Sequence, residues 1–466
     1  MSQSLSRTVS LSRRTVSLSR RTVSLSRRTV SLSRRRFLTT SAAAAGALTL
    51  GAYANPTPAR ASRLVAERLR IAGVGTTGRA GADLGELSSQ DIVALADVDD
   101  REMEKGSVRF PAARKYRDFR VMLEKEAGNI DAVMVGTPDH THAPAAAMAL
   151  RLGKHVYCEK PLTHTVYEAR TLANLAAEKH LVTQMGNQIH AGDNYRRVVE
   201  LVKGGAIGKV EEVHVWVTAA YSGAKFTTGT QAPAGLDWDL WLGPAPERSY
   251  SEGVHPFNWR KFWDYGTGAL GDFGCHYIDL AHWALDLRAP TSVQAEGPPP
   301  DAVSAPEWCI ARYEYPARGD LPAVKLTWYD SGKQPEIARS LMLGDKPLGE
   351  VFKSAQLFVG SDGMLVSDYG RHFLLPEDKF AGFKRPPQSI PTSVGHHREW
   401  VDAIKSGGKT TCNFDYAGAL TEAVLLGTVA YRSGKRVEWD AENLKVKNSP
   451  EAQALIHKEY RKGWTL

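Results

Sequence analysis

The chain has little cysteine, four residues in 466, and Cys158, Cys275, Cys309 and Cys412 form no C-x-x-C pair. That scarcity excludes a zinc ribbon or a disulfide-stapled scaffold, and four free thiols are expected. Long hydrophobic runs are also missing. The most apolar early stretch, Ala42 to Ala54, is rich in Ala, Gly and Thr and falls short of the ~20 residues a bilayer span needs. No stable membrane span is expected. Acidic residues and lysine are absent from one end: residues 1–61 hold eleven arginines and no Lys, Asp or Glu. Removing those eleven from the formal charge of +8 leaves −3 for residues 62–466. The basicity is therefore a property of the leader, and nucleic acid is not an expected partner. The remainder has the composition of an ordinary globular chain, 42% apolar and 24% charged, with the length of about two or three domains.

The leader opens with four copies of RTVSLSR, covering residues 7–34. Each copy offers only one Val and one Leu to bury against two Arg and two Ser, too little to offset ordering entropy, so disorder is expected. The last copy runs into Ser33-Arg34-Arg35-Arg36-Phe37-Leu38-Thr39, which resembles a twin-arginine export signal. A short apolar stretch and Ala59-Arg60-Ala61, an A-x-A cleavage pattern, follow. The expectation is passage through the twin-arginine machinery to the periplasm, folded and with any cofactor already inside.

Leu69–Ala72 reads as a strand, Gly73-Val74-Gly75-Thr76-Thr77-Gly78 follows at once, and Arg79–Leu87 reads as a small-residue helix. A second strand, Asp91–Ala96, ends at Asp97, nineteen residues beyond Gly78. In that setting the glycines let the backbone approach a pyrophosphate, with Thr76 and Thr77 beside it, at a helix N-terminus. Asp97, with Asp99 as a near alternative, would accept from the ribose hydroxyls and repel a 2′-phosphate, favouring NAD over NADP. The alternation continues through strand Ala132–Val135, loop Thr137–His142, helix Ala143–Leu152, strand His155–Cys158 and helix Val166–Lys179 to strand Leu181–Met185. Alternating strands and helices predict a doubly wound parallel sheet. Its carboxyl edge gathers the glycine loop, Asp97, Thr137–His142 and Glu159-Lys160-Pro161. His140 and His142 could be half of a metal site, but the chain offers a dinucleotide loop rather than further ligands. They are expected, with Thr137 and Pro138, to line a nicotinamide pocket, and no metal is expected.

After residue 186 the pattern changes. Val210–Ala219, Ala323–Tyr329 and Ala355–Val359 alternate or run apolar with few helices between, which predicts a mostly antiparallel sheet with helices to one side. The segment 237–260 is dense in Trp, His and Arg, and aromatic faces with polar rims, such as Trp259 with Arg260, suit a sugar ring. If a helix begins near Asp272, then Asp272, His276 and Asp279 share one face, and Asp272 could orient His276 as a general base.

The set Gly73–Gly78, Thr137–His142, Glu159-Lys160-Pro161 and Asp272…His276 resembles the Gfo/Idh/MocA family (glucose–fructose oxidoreductase/inositol dehydrogenase-like) over roughly residues 65–440. The resemblance implies an α/β protein: an N-terminal Rossmann domain and a C-terminal α+β domain with a large open sheet. It also implies NAD(P)-dependent oxidation of a ring hydroxyl, a catalytic Lys160 and the pair Asp272 and His276. Physically, an ammonium at Lys160 would stabilise a developing alkoxide, and Pro161 would restrain its backbone. Gln188 would touch the nicotinamide end, and His190, and more remotely His396, would reach substrate.

Three segments are expected: a leader, 1–61; an NAD-binding domain, 62–185; and a substrate and oligomerisation domain, 186–466. The function read from them is hydride transfer from a sugar, polyol or glycoside to a tightly held NAD(H). The catalytic set is Lys160, Asp272 and His276. The cofactor set is Gly73, Gly75, Thr76, Thr77, Gly78, Asp97, Thr137, Pro138, His140, His142, Glu159, Lys160 and Gln188. The substrate set is Lys160, His190, Trp259, Arg260, Asp272 and His276. A redox-assisted glycoside cleavage through a keto-sugar is the alternative. The family's open sheets imply a homodimer or homotetramer.

Overall fold

The structure is a computed structural model that describes residues 68–466. The leader and its export signal, and the first residues of the expected NAD-binding segment, lie outside the described residues.

The first half is a six-stranded parallel sheet in the order β3-β2-β1-β4-β5-β6. Its strands are β1 (Arg70–Val74), β2 (Asp91–Ala96), β3 (Arg114–Tyr116), β4 (Ala132–Val135), β5 (His155–Glu159) and β6 (Thr183–Gly186). The connecting helices are α1 (Gly78–Glu86), α2 (Asp100–Arg109), α3 (Phe119–Glu126), α4 (Asp139–Arg151) and α5 (Val166–Glu178). β4 is buried along its whole length, as a central strand covered by helices on both faces must be. α5 starts on a reciprocal cap in which Thr165 accepts from the Glu168 N–H while the Glu168 carboxylate accepts from the Thr165 N–H.

One boundary differs from the expected one with consequences. α4 begins at Asp139, not Ala143, so Asp139–His142 are helical and turned inward rather than looped at the edge. Pro144 then sits inside α4 and cannot donate to the His140 carbonyl four residues back; the Lys458 ammonium donates there instead, at 3.3 Å.

The second half builds on a nine-stranded sheet. After α6 (Asp193–Lys203) come β7 (Val210–Trp216), helix α7 (Gly268–Ala284), β8 (Ser292–Glu296), β9 (Ile310–Tyr315) and β10 (Val324–Tyr329). Then follow β11 (Ala355–Gly360), β12 (Gly363–Ser367), β13 (His372–Leu375), α8 (His396–Ser406), α9 (Phe414–Ser433), β14 (Val437–Asp440) and β15 (Lys445–Val446). The strand order is β13-β12-β11-β7-β10-β9-β8-β14-β15, antiparallel except where β7 and β10 run parallel. α9 packs on α7, on β8 and back on α5, and α8 packs on α1. Helices from the end of the chain thus close over both halves. Among the described residues no helix is long and apolar enough to cross a membrane. All four cysteines are buried and free.

Candidate active site

β1 delivers the chain into the glycine loop. Gly75 takes φ +89°, and a Cβ there would stand 3.0 Å from the Gly136 carbonyl oxygen. Gly78, the first residue of α1, takes φ +56° and has nothing within 4 Å on its Cβ side. The side chain that could cap α1, Thr77, instead donates to Glu102 at 2.5 Å. The helix therefore presents N–H groups without a side-chain cap beside an open glycine, the cradle a dinucleotide pyrophosphate requires. These residues fit NAD.

Asp97, at the end of β2, accepts from the Thr76 N–H (3.0 Å), from the Thr76 hydroxyl (2.7 Å) and from the Asp99 N–H (3.1 Å). A carboxylate offers four acceptor positions, so one remains for a ribose hydroxyl, on Oδ1, rather than the two expected. Burial pushes its pKa up, against the pull of those three donors. Asp99 is excluded from that role: it is fully buried, caps α2 through the Arg101 N–H, and pairs with Arg101 and His255.

At the end of β5 the Glu159 carboxyl is buried and accepts from Gln188 Nε2 at 2.6 Å and from the Lys160 N–H at 3.2 Å. Burial, then the nearby Asp83, raises its pKa to about 8. Lys160 sends its ammonium across to α7, donating to Asp272 Oδ1 at 2.5 Å and to the Asp272 carbonyl at 3.1 Å. Asp272 Oδ2 lies 3.5 Å from Arg260 Nε. Burial would pull the lysine down and push the aspartate up, but the opposite charges win, so Lys160 is raised and Asp272 lowered.

His276 is not oriented by Asp272, contrary to the helical-spacing argument. The two share a face of α7, but the carboxylate is drawn to Lys160 and Arg260. His276 Nδ1 instead stands 2.6 Å from the Asn187 side-chain oxygen, while Asn187 Nδ2 donates to the Cys275 carbonyl at 2.8 Å. That second bond fixes which end of the amide faces the imidazole. Nδ1 must therefore carry the proton, which leaves Nε2 as a free base. Burial, reinforced by the Lys160 charge, lowers the imidazole pKa to about 3.

Several expected residues serve the interior. His140 is fully buried with Nε2 on the Trp241 carbonyl, and His142 lies between the Thr137 and Pro161 carbonyls. The early start of α4 turns both away from the edge, so neither lines an open nicotinamide pocket. Thr137 and Pro138 form the turn between β4 and α4. His190 is 1% exposed, bound to the Asp279 carboxylate at 2.9 Å and stacked on Trp283, one turn of α7 beyond His276. It is a packing residue, not a substrate contact. Trp259 is 6% exposed, its Nε1 donating to the Pro256 carbonyl, and its ring supports the Arg260 guanidinium at 4.2 Å. His396 is bound to the Met185 carbonyl and is likewise interior.

Asn187, Asp139 and Tyr221 are members that the sequence argument passed over. Asp139 accepts from Thr267 Oγ1 at 2.8 Å, and burial together with the Asp272 charge raises its pKa to about 7. The Tyr221 phenol lies near the Asp272 carboxylate, and burial with that negative charge raises its pKa. Asp139 sits inside the Thr137–His142 segment already singled out, and Asn187 directly follows the buried strand β6, which was the signal available. Tyr221 lies in a long irregular stretch with no such signal. Among the described residues no group of three or more His, Cys, Asp or Glu could hold a metal ion.

Two family models match the chain: "oxidoreductase family, NAD-binding Rossmann fold" over residues 68–187, and "oxidoreductase family, C-terminal alpha/beta domain" over residues 196–321. Levoglucosan dehydrogenase of Pseudarthrobacter phenanthrenivorans is 26% identical over 198 residues, 41% of this chain and 42% of that one. Myo-inositol 2-dehydrogenase of Thermotoga maritima is 24% identical over 143 residues, 30% of this chain and 42% of that one. The matches thus span about two fifths of those relatives. The WlbA dehydrogenase of Bordetella pertussis, solved with NADH and UDP-GlcNAcA, superposes with a TM-score of 0.56 at 16% identity, over 80% of this chain and 99% of that one. The glycine loop and Lys160 fall within the first match and Asp272–His276 within the second, and the two together take in more than half of the residues: the chain belongs to the Gfo/Idh/MocA family of NAD-binding oxidoreductases.

Proposed function

We propose that this protein oxidises a ring hydroxyl of a sugar, polyol or glycoside in the periplasm, after twin-arginine export, and keeps its NAD(H) bound between turnovers. The observation that carries the chemistry is the pairing of a charged Lys160, just past β5, with a neutral, tautomer-fixed His276 on α7. NAD, when bound, supplies the hydride acceptor. His276 Nε2 takes the hydroxyl proton, because its Nδ1 is already committed to Asn187. Lys160 donates to the same oxygen and stabilises the alkoxide, with Asp272 and Arg260 holding the ammonium in place. The matched segments of levoglucosan and myo-inositol dehydrogenases support a ring polyol as the substrate class.

Retention follows from joining the leader to the cradle. A compartment without a pool of soluble NAD cannot exchange a reduced molecule for a fresh one, so a second sugar or keto-sugar must take the hydride, with ping-pong kinetics. The test is to purify the exported protein without added nucleotide, denature it and measure what is released. Near-stoichiometric NAD(H) supports retention. Empty protein with weak, reversible NAD binding overturns retention and leaves the dehydrogenase reading standing. NADH absorbance with a panel of sugars and polyols tests that reading separately.

A further inference from the structure

A cavity of about 290 Å³ shares no lining residue with the Lys160–Asp272–His276 corner. One wall is a face of α9, where Leu425, Thr428, Val429 and Arg432 follow at i, i+3, i+4 and i+7. Trp263 and Leu455 add apolar surface, and Lys458 lies in the lining.

Two polar groups there lack partners. Thr428 is 8% exposed and its hydroxyl makes no hydrogen bond. One turn further, the Arg432 guanidinium makes no hydrogen bond or ion pair among the described residues; it faces the Trp263 ring, 5.1 Å away, and feels the Asp264 charge without pairing with it. The acids nearby are committed or outside. Asp264 pairs with Arg248 at 3.0 Å, Glu168 pairs with Lys458 at 3.2 Å, and Glu459 is exposed. The last turn of a helix favours a cation at position 432, but that does not satisfy the planar fork of donors, which matches a carboxylate. Apolar walls with one unmatched guanidinium and one unmatched hydroxyl define a complementary ligand.

We propose that this cavity is an accessory binding site for a small carboxylate with an apolar body, held by Arg432 and Thr428. The Lys458 ammonium beside it donates both to the His140 carbonyl and to His164 Nδ1, and His164 Nε2 donates to the Gly266 carbonyl just before α7. The site therefore adjoins the support of the helix that carries Asp272 and His276.

The test is calorimetric titration of the full chain with benzoate, and with benzamide as its uncharged isostere. Benzoate should bind saturably and benzamide should not. Arg432→Gln should weaken benzoate about tenfold or more while NAD content stays unchanged. Thr428→Val, nearly the same volume, should weaken it less and serves if the arginine variant does not fold. Equal binding of the two probes, unchanged binding in the variants, or no benzoate binding at millimolar concentration would each overturn the proposal.

Discussion

The glycine corner and the lysine corner share one sheet edge but are made of different material. At the first, backbone forms the site: Gly75 and Gly78 at positive φ, and an α1 N-terminus without a side-chain cap. At the second, side chains form it, each largely enclosed and held by a partner from a distant segment. Lys160 meets Asp272 across 112 residues and His276 meets Asn187 across 89. A site made of backbone needs one contiguous motif, whereas a site made of side chains needs the whole fold in place.

If that contrast holds, the two corners fail differently. The largest loss should come from Lys160→Ala and His276→Ala, each lowering turnover by about 10²–10⁴-fold with released NAD(H) unchanged. Near-normal single-turnover rates in either variant would remove that residue from the chemistry. Asn187→Leu should cost roughly 10- to 100-fold by freeing the tautomer of His276. Asn187→Asp sharpens the point through the pH profile. A carboxylate at Nδ1 raises the imidazole pKa from about 3, so activity should be lost at a higher pH on the acidic side. An unmoved profile would make Asn187 merely structural.

At the glycine corner the expected effects concern affinity. Asp97→Ala should weaken NAD about tenfold and narrow its preference over NADP, the loss of about one charge-assisted hydrogen bond. Equal losses for both nucleotides would show that Asp97 only supports Thr76.

The smallest effect is on stability. Burial holds His140, His276, His282 and His396 at about 3 and His142 at about 4, against about 6.5 in an unfolded chain. Between these values the unfolded state binds more protons, so stability falls as pH drops below about 6.5. Asp139 at about 7 and Glu159 at about 8 act oppositely. Their folded forms hold protons that the unfolded chain has released, so stability falls as pH rises through 7 to 8. Thermal melts should peak near pH 6.5, more steeply on the acid side. A melting temperature flat from pH 4.5 to 8 would contradict these burial effects.

What could be read in advance follows the same division. Strands β2 and β4 were legible to the residue, because continuous apolar runs between turn residues have one plausible use in a doubly wound sheet. The residues Lys160, Asp272 and His276 were legible as a set, but their pairing was not. Helical spacing put Asp272 beside His276, whereas charge drew it to Lys160 and Arg260. The inward turn of His140 and His142 was hidden because the helix was expected to open at Ala143, with Pro144 in its first turn, whereas Lys458 satisfies the carbonyl that Pro144 leaves open and the helix starts a turn earlier. His190 looked functional because its partner Asp279 lies 89 residues away.

The hydrogen bond from α8 to α1, His397 Nε2 to Asp83 Oδ1 at 2.9 Å, closes a loop of 314 residues. Thr76 and Asp97, by contrast, are 21 apart. Loop closure costs more entropy as the loop lengthens, and distant pairings slow folding. In a refolding chain the β1–α1–β2 unit can form early, but the helix that receives the nucleotide gains its outer brace only once the second half has docked. The first helix of the described residues is completed late in time.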